Sequence, residues 1–241
     1  MTDADKTIHA PRCWAVLPAA GIGARMATDR PKQYLPLAGK TVIEHSLNRV
    51  LAHEAITGGV LAIAGHDAYW PTIHYQSPKP LWLAPGGAER CASVLNALEV
   101  LAQHADDDDW VLVHDAARPC LRAEDISTLI AQCRHHPVGG LLAVAVKDTI
   151  KRAATVAGQV CVQQTVDREG LWHAQTPQMF RLRALREALS QAMAAGVVIT
   201  DEASAMEWAG KQPLLVPGHA DNLKITQPED LELASFFLTS R

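Results

Sequence analysis

The chain has 241 residues, of which 48% are hydrophobic, and this is enough for one sizeable core in a single domain spanning residues 1–241. A formal net charge of -4 argues against a nucleic-acid partner, because duplex-binding surfaces usually carry an excess of basic residues. Five scattered cysteines without a C-x-x-C pair argue against a disulfide framework or a zinc site and favour a reducing cytoplasm. No apolar run is long enough to span a bilayer, so a membrane location is not expected.

The first predicted element is a buried strand at residues 13–17, and a loop of small residues follows it. Gly21 and Gly23 let the backbone turn with positive φ and leave no side chain between the amide groups and a ligand. Successive exposed amides bind anions. Arg25 and Lys32 add two cations nearby, so this stretch predicts a grip for a triphosphate.

Three glycine-rich motifs compete for this stretch. The dinucleotide fingerprint is disfavoured because Met26 stands where its third small residue belongs. The P-loop is disfavoured because Tyr34 stands where its first glycine should be, although residues 39–41 supply its Gly-Lys-Thr tail. The nucleotidyltransferase pattern A-A-G-x-G-x-R-M followed by P-K-Q matches residues 19–26 and 31–33 at every fixed position. An ordinary strand-to-helix turn with surface Arg and Lys remains the plain alternative.

Farther along, apolar runs alternate with helical patterns. Thr41 and Glu44 form a capping box for a helix at residues 41–52. Alternating strands and helices predict an α/β fold, a Rossmann-like and mostly parallel sheet with helices on both faces. The further strands are expected at residues 59–64, 81–84, 110–114, 140–146, 171–174, 214–216 and 222–225, and the further helices after residue 87, at 124–133, from 182 to about 195, after 201 and after 226.

Two segments depart from this alternation. Residues 147–168 alternate apolar and polar side chains around Ala157-Gly158, which predicts a β-hairpin. Isolated hairpins are marginal in water, so this arm is expected to pack on a second subunit, with a surface loop as the alternative. The acidic run 106–109 is expected to be a solvated loop.

Ligands of open α/β sheets bind beyond the carboxyl ends of the strands, where several polar residues of this chain fall. Asp115 and Asp221 are the candidate Mg²⁺ ligands, because Mg²⁺ prefers oxygen donors beside phosphates. Asp115 could instead cap a turn, and Lys224 could extend its ammonium to solvent. The candidate residues at this edge are the segment 86–90 with Arg90 at its end, Ser93, Asp115, Arg118, Thr176, Thr200, Asp221 and Lys224.

Several segments together resemble the 2-C-methyl-D-erythritol 4-phosphate cytidylyltransferases of the non-mevalonate isoprenoid pathway. The most specific are VHDAARP (113–119) and TDEASA (200–205). The other segments are AAGIGARM (19–26), PKQY (31–34), GGAERCASV (86–94), DTIKR (148–152), TVDREGLW (165–172), QTPQ (175–178) and DNLKIT (221–226). The related ribitol phosphate cytidylyltransferases share much of this frame. Some family members carry Asp where this chain has Ala88.

The resemblance implies a role for each matching residue and a homodimer with shared active sites. CTP would be held by Ala19, Ala20, Gly21, Gly23, Arg25, Lys32, Gly87 and Ser93, the last two at the cytosine. The methylerythritol phosphate would be held by Asp115, Arg118, Thr149, Arg168, Thr176, Thr200 and Lys224. Thr149 and Arg168 would come from the partner's arm. Arg25, Lys32, Arg168 and Lys224 would carry catalysis.

These assignments predict a reaction in which the acceptor phosphate attacks the α-phosphorus of CTP in line and expels pyrophosphate. No general base is required, because a phosphate monoester is already anionic at neutral pH. Positioned cations and amides would supply the catalysis. The alternatives from other classes are an NAD-dependent oxidoreductase and a non-catalytic nucleotide-binding module.

Overall fold

The computed structural model describes residues 10–21 and 30–240. Its centre is a seven-stranded sheet, accompanied by two separate two-stranded pairs. The strands in chain order are β1 (Cys13–Pro18), β2 (Pro36–Leu37), β3 (Lys40–Thr41), β4 (Ile56–Ile63), β5 (Leu81–Pro85), β6 (Trp110–Val113), β7 (Gly139–Ala145), β8 (Ile150–Val156), β9 (Gln159–Val166), β10 (Trp172–Arg181) and β11 (Leu214–Pro217). The helices are α1 (Val42–Leu51), α2 (Arg90–Leu101), α3 (Ala123–Cys133), α4 (Leu182–Ala194), α5 (Glu202–Trp208) and α6 (Glu229–Thr239).

The strand order in the large sheet is β11-β7-β10-β6-β1-β4-β5. All neighbours pair in parallel except β10, which runs antiparallel to β6 and β7. This confirms the predicted α/β class with a mostly parallel sheet. The parallel strands β1, β5 and β6 therefore end at the same edge, where ligands of such sheets bind.

Helices cover both faces of the sheet, so its central strands are buried on both sides. On β1, Ala15 and Leu17 face the cluster formed with α1 and α3, whereas Trp14 and Val16 face the cluster formed with α2, α4 and α5. The predicted capping box is present, since Glu44 accepts hydrogen bonds from both the amide and the hydroxyl of Thr41. No helix in the described part of the chain is long and apolar enough to cross a bilayer.

The predicted hairpin at residues 147–168 is present as β8 and β9, which pair only with each other. Val160 and Val162 on β9 are 80% and 65% exposed. These exposed apolar side chains are not buried by the core of their own chain, and such surfaces are typical of protein–protein contacts. A second subunit is not part of the structure, so the dimer stays a prediction.

One predicted strand is wrong: residues 222–225 form a loop, because their backbone is held by tertiary contacts such as Ile225 N–H to Ala117 O at 2.9 Å. The strand expected at 171–174 is present as the start of β10, which is ten residues long and antiparallel. The acidic run 106–109 is a loop as predicted, but Asp109 is buried and not solvated, since its carboxylate accepts hydrogen bonds from the Arg12 amide and the Trp14 indole, both at 2.8 Å.

Candidate active site

A cleft with a volume of about 210 Å³, open to solvent on one side, lies at the carboxyl edge of the sheet. The segments that follow β1, β5 and β6 meet there, together with residues brought from elsewhere in the chain. Its lining includes Ala19, Ala20, Gly21, Lys32, Gln33, Gly87, Arg90, Ser93, Asp115 and Lys224. The fold therefore brings the start of the glycine loop, both lysines and one of the two predicted carboxylates to one cavity.

Gln33 fixes the start of the glycine loop. Its buried side-chain amide donates to the carbonyl oxygens of Ala19 at 2.6 Å and Gly21 at 3.0 Å. The C=O and N–H groups of a trans peptide point in opposite directions, so the Ala20 N–H points away from Gln33. This orientation leaves a backbone donor available to a ligand, as the anion-binding prediction requires. Gly23 and Arg25, predicted to continue this grip, lie outside the described residues.

The glycine loop packs tightly against the second loop, which follows β5. A Cβ atom at Gly86 would lie 2.1 Å from the Ala20 Cβ, so only glycine permits this approach. Ser93 holds the second loop in shape, because its hydroxyl accepts from the Gly87 amide at 2.9 Å and donates to Glu89 O at 3.1 Å. The predicted base-binding residues Gly87 and Ser93 are therefore adjacent and rigidly placed.

A buried cluster of charges forms the floor of the cavity around Asp115. Its carboxylate contacts the Arg90 Nε at 2.9 Å, the Lys224 ammonium at 2.9 Å and the Arg118 Nε at 3.5 Å. Burial alone would raise the pKa of Asp115, but the charges of Arg90, Lys224 and Arg118 outweigh burial and hold that pKa well below its usual range. Asp115 is therefore ionised at neutral pH, and it fixes the positions of three cations.

Arg90 extends this cluster to the start of α5. Its guanidinium donates to both carboxylate oxygens of the fully buried Glu202, at 2.6 and 3.1 Å. Burial alone would lower the pKa of Arg90, but Glu202 and Asp115 raise it, so Arg90 stays charged. The α5 N-terminus is itself anchored by Gln178, which donates to Asp201 at 2.9 Å and accepts from the Ala203 amide at 2.8 Å. Arg90 thus connects Asp115 to the start of α5, and the carboxylates of Asp115 and Glu202 balance its charge.

Lys32 and Arg118 are each fixed by a main-chain oxygen. The Lys32 ammonium donates to Ile225 O at 2.9 Å, and Arg118 Nη1 donates to Asn222 O at 2.7 Å. Both carbonyls belong to the loop that also carries Lys224. This loop therefore holds cations on both the nucleotide side and the predicted acceptor side of the cavity.

Other predicted acceptor residues do not line the cavity. Thr176 is buried, and its hydroxyl bonds to the Asp115 amide and to His114. Thr149 and Arg168 are exposed at the base of the arm, where Arg168 donates to Lys147 O. Thr200 is exposed just before α5. Arg118 lies in the cluster beneath the cavity.

The carboxylates predicted as Mg²⁺ ligands do not fit that role in this structure. The Asp115 oxygens are engaged by three cations, as described above. The Asp221 carboxylate is held by the Arg122 guanidinium, with the Arg122 Nη2 at 2.5 Å. A magnesium ion needs oxygen donors that are not already neutralised by guanidinium groups. Among the described residues, no group of three His, Cys, Asp or Glu side chains could hold a metal ion.

Sequence reasoning placed Arg90 at this edge of the sheet without giving it a role, and it did not single out Gln33 or Glu202. For Gln33 and Glu202 the signal in the sequence was their membership of PKQY and TDEASA. A buried ion pair between Arg90 and Glu202, 112 positions apart, cannot be deduced from spacing. These residues hold the loops whose exposed groups the sequence did identify.

Comparisons with known proteins identify the family of the chain. The model of the family IspD, 2-C-methyl-D-erythritol 4-phosphate cytidylyltransferase, matches residues 13–240. Relatives of that name from Pseudomonas putida strain GB-1 and Pseudomonas fluorescens strain Pf0-1 are each 57% identical over 223 residues, covering 92% of this chain and 94% of the relative.

Two crystal structures are similar along nearly the whole chain. One, of a 4-diphosphocytidyl-2C-methyl-D-erythritol synthase, has a TM-score of 0.82 at 39% identity and covers 95% of this chain and 100% of that chain. The other, the 2-C-methyl-D-erythritol 4-phosphate cytidylyltransferase of Francisella tularensis, has a TM-score of 0.80 at 36% identity and covers 94% of this chain and 99% of that chain. The chain belongs to the 2-C-methyl-D-erythritol 4-phosphate cytidylyltransferase family and is a nucleotidyltransferase.

Proposed function

We propose that this enzyme transfers CMP from CTP to 2-C-methyl-D-erythritol 4-phosphate, giving 4-diphosphocytidyl-2-C-methyl-D-erythritol and pyrophosphate, a step of isoprenoid precursor biosynthesis. The observation that carries the proposal is the single cavity that Lys32 and the glycine loop line together with Lys224 and Asp115. Family membership supports the nucleotide and the acceptor. One cavity with cations on both sides suits a reaction between two polyanions.

In the proposed reaction, an oxygen of the acceptor phosphate forms a bond to the α-phosphorus of CTP. The bond between that phosphorus and the bridging oxygen to the β-phosphate breaks, and pyrophosphate leaves with the electron pair. The second pKa of a phosphate monoester is about 6, so the nucleophile needs no base at neutral pH. The protein's task is to position the two anions and stabilise the charge that builds on the α-phosphate.

The residues divide between the two substrates. The amides of the glycine loop, with Arg25 and Lys32, would bind the triphosphate and stabilise the transition state. Gly87 and Ser93 would bind the cytosine, and since Ala88 offers no polar side chain, the backbone of the second loop would supply the contacts. Lys224, Arg118 and Asp115 would hold the acceptor, with Asp115 able to accept from its hydroxyl groups.

Mg²⁺ would be bound mainly by the nucleotide phosphates, since Mg²⁺ commonly retains waters and uses substrate oxygens. Asp115 and Asp221 would not ligate it, because their carboxylates are already held by basic side chains. Titration of pyrophosphate release with Mg²⁺ tests the requirement. A rate that is unchanged in excess chelator would remove the metal from the reaction.

A homodimer with shared sites is proposed from the arm. Val160 and Val162 are exposed there, and Thr149 and Arg168 are exposed at its base and do not line the cavity of their own chain. We expect light scattering to give twice the chain mass. Mixing Arg168→Ala subunits with Lys32→Ala subunits should restore part of the activity, because a mixed dimer would contain one intact site. No recovery in a verified mixed dimer would contradict crossed arms.

The proposed location is the cytoplasm. All five cysteines are free, and four of them are buried, as in proteins of reducing compartments. Cell fractionation with an antibody against the chain tests this location.

The experiment that tests the function is pyrophosphate release from CTP with 2-C-methyl-D-erythritol 4-phosphate and, separately, with ribitol 5-phosphate. We expect turnover with the first acceptor at a kcat/KM at least about a hundredfold higher, the discrimination that hydrogen-bonded recognition of hydroxyl groups readily reaches. Preference for ribitol 5-phosphate would change the acceptor. CTP binding without pyrophosphate release with either acceptor would indicate a nucleotide-binding module instead.

A further inference from the structure

His114 is a buried titratable residue for which the proposed reaction has no use. It follows β6 directly, is 0% exposed and does not line the cavity. Its Nε2 lies 3.0 Å from the carbonyl oxygen of Arg118, and its Nδ1 lies 3.1 Å from the Thr176 hydroxyl oxygen. The same hydroxyl oxygen accepts from the Asp115 amide at 3.0 Å. The imidazole is therefore connected to both ends of the turn formed by residues 115–118.

The partners of the ring determine where its proton lies. A carbonyl oxygen can only accept, so Nε2 carries the hydrogen that bonds to Arg118 O. Burial lowers the pKa of His114 to about 4, so the ring is neutral at pH 7 and Nδ1 has a lone pair. The Thr176 hydroxyl must then donate to Nδ1 while it accepts from Asp115. The hydrogen bonds run in one direction, from the Asp115 amide through Thr176 to His114 and on to Arg118 O.

This chain of hydrogen bonds supports the turn from below. The Arg118 amide closes the turn by donating to Asp115 O at 3.0 Å. Thr176 holds the amide of the first residue, and His114 holds the carbonyl of the last. The turn carries Asp115 and Arg118, two of the charged side chains proposed to hold the acceptor. A loss of either support would let these two charges move relative to Lys224.

We propose that His114 is a positioning residue for the acceptor side of the site: it fixes the turn 115–118 and reserves the Thr176 hydroxyl proton. Thr176 therefore has no proton to donate to the acceptor phosphate, and since it is buried and does not line the cavity, it acts on the acceptor through the turn that it holds. The inference rests on the proposed function, since it concerns the acceptor of that reaction. It assigns to His114 and Thr176 an action through Asp115 and Arg118.

Variants at His114 separate its two hydrogen bonds. His114→Gln can still donate to Arg118 O, His114→Asn can still accept from Thr176, and His114→Leu can do neither. Thr176→Ser retains the hydroxyl and Thr176→Val removes it. Leu112→Val, in the core of the same strand, is the control for general destabilisation. Each variant is compared by thermal unfolding and by the kcat and KM for each substrate.

We expect His114→Leu and Thr176→Val to lower kcat/KM for the acceptor about tenfold, the effect of one hydrogen bond of ordinary strength, with the KM for CTP changed less than about twofold. His114→Gln and His114→Asn should lie between His114→Leu and the wild type, and Thr176→Ser should approach the wild type. Leu112→Val should lower the unfolding temperature without selective loss of acceptor use. Equal losses toward CTP and acceptor in His114→Leu would overturn the proposal, as would wild-type acceptor kinetics in Thr176→Val.

A spectroscopic test of the proposal does not depend on activity. Nitrogen-15 NMR of the ring, assigned by its absence in His114→Gln, should show the neutral Nε2–H form from pH 6 to pH 8. A proton on Nδ1 in this range would overturn the proposal. If the wild type releases no pyrophosphate with any acceptor, the proposed function fails, and the NMR result still decides the hydrogen-bond direction by itself.

Discussion

At the carboxyl edge of the sheet, Asp115 is buried among Arg90, Arg118 and Lys224, and every one of these charges has a defined partner in the same chain. In the arm, Val160 and Val162 are largely exposed, and β8 and β9 pair only with each other. Both regions contain residues that family resemblance assigns to one active site. They differ in how much of their environment the single chain supplies.

This difference has a physical origin. A buried charge costs several kcal/mol unless it is paired, so the cluster around Asp115 must be complete within the folded chain. An exposed valine reduces the free energy of unfolding only slightly, so the arm can remain exposed until a second subunit covers it. Changes in the cluster should therefore affect one chain's stability and chemistry together. Changes in the arm should affect assembly first.

The largest effect is expected at Lys224, which lines the cavity and whose ammonium contacts Asp115 at 2.9 Å. Lys224→Ala should lower kcat/KM for the acceptor about 10²–10³-fold, because a positioned cation is lost from the site of developing charge. Lys211→Ala, an exposed lysine after α5, is the matched control and should retain wild-type rates. Steady-state pyrophosphate release measures both. A Lys224→Ala enzyme within twofold of the wild type would remove Lys224 from the site.

Glu202 tests whether the cluster also supports the fold. Glu202→Gln leaves the Arg90 charge without its bidentate partner and should cost about 3 kcal/mol of unfolding free energy. For a chain of this size, such a loss lowers the unfolding temperature by about 6–12 °C. Glu207→Gln, exposed on the same helix, should change little. Equal thermal stability of the two variants, measured by calorimetry, would contradict the structural role of the pair.

In the arm, Val162→Asp should weaken self-association at least about a hundredfold, because the interface would bury an unpaired carboxylate. The unfolding temperature of the dissociated chain should stay close to that of the wild type, since Val162 is 65% exposed. Gln163→Asp, the next residue along the same strand, is the control for added charge. Sedimentation equilibrium by analytical ultracentrifugation gives the dissociation constants of the dimers. Unchanged association in Val162→Asp would place the interface elsewhere.

The smallest effect is expected in the pH dependence of the unfolding free energy, which Asp115→Asn should change. The folded-state pKa of Asp115 lies below its unfolded value of about 3.9, so its ion pairs stabilise the fold above that pH and lose this effect as the pH falls further. We expect the stability advantage of the wild type over Asp115→Asn, about 2 kcal/mol at pH 7, to shrink between pH 4 and pH 2. Urea titrations along the pH series measure it. An advantage that grows on acidification would reverse the sign of the assignment.

Much of the architecture could be predicted because periodicity and spacing are local properties. Local patterns predicted several elements that the structure contains. These are the apolar runs of β1 and β6, the capping box at Thr41 and the alternation of apolar and polar residues in the arm. The prediction of a strand at 222–225 failed because tertiary contacts, and not strand pairing, hold this segment. Its two ends are buried: Asn222 donates to Thr176 O of β10 at 2.8 Å, and Ile225 packs in the cluster under α6.

The α/β class, the position of Lys32 beside the start of the glycine loop, and the motifs that indicate cytidylyl transfer could be predicted from sequence, because each depends on residues close together in the chain. The link that Arg90 makes between Asp115 and Glu202, the orientation of the glycine loop by Gln33 and the neutral state of His114 are set by folding. These properties depend on burial and on pairing between distant segments. Such contacts exist only once the sheet has brought the ends of its strands together.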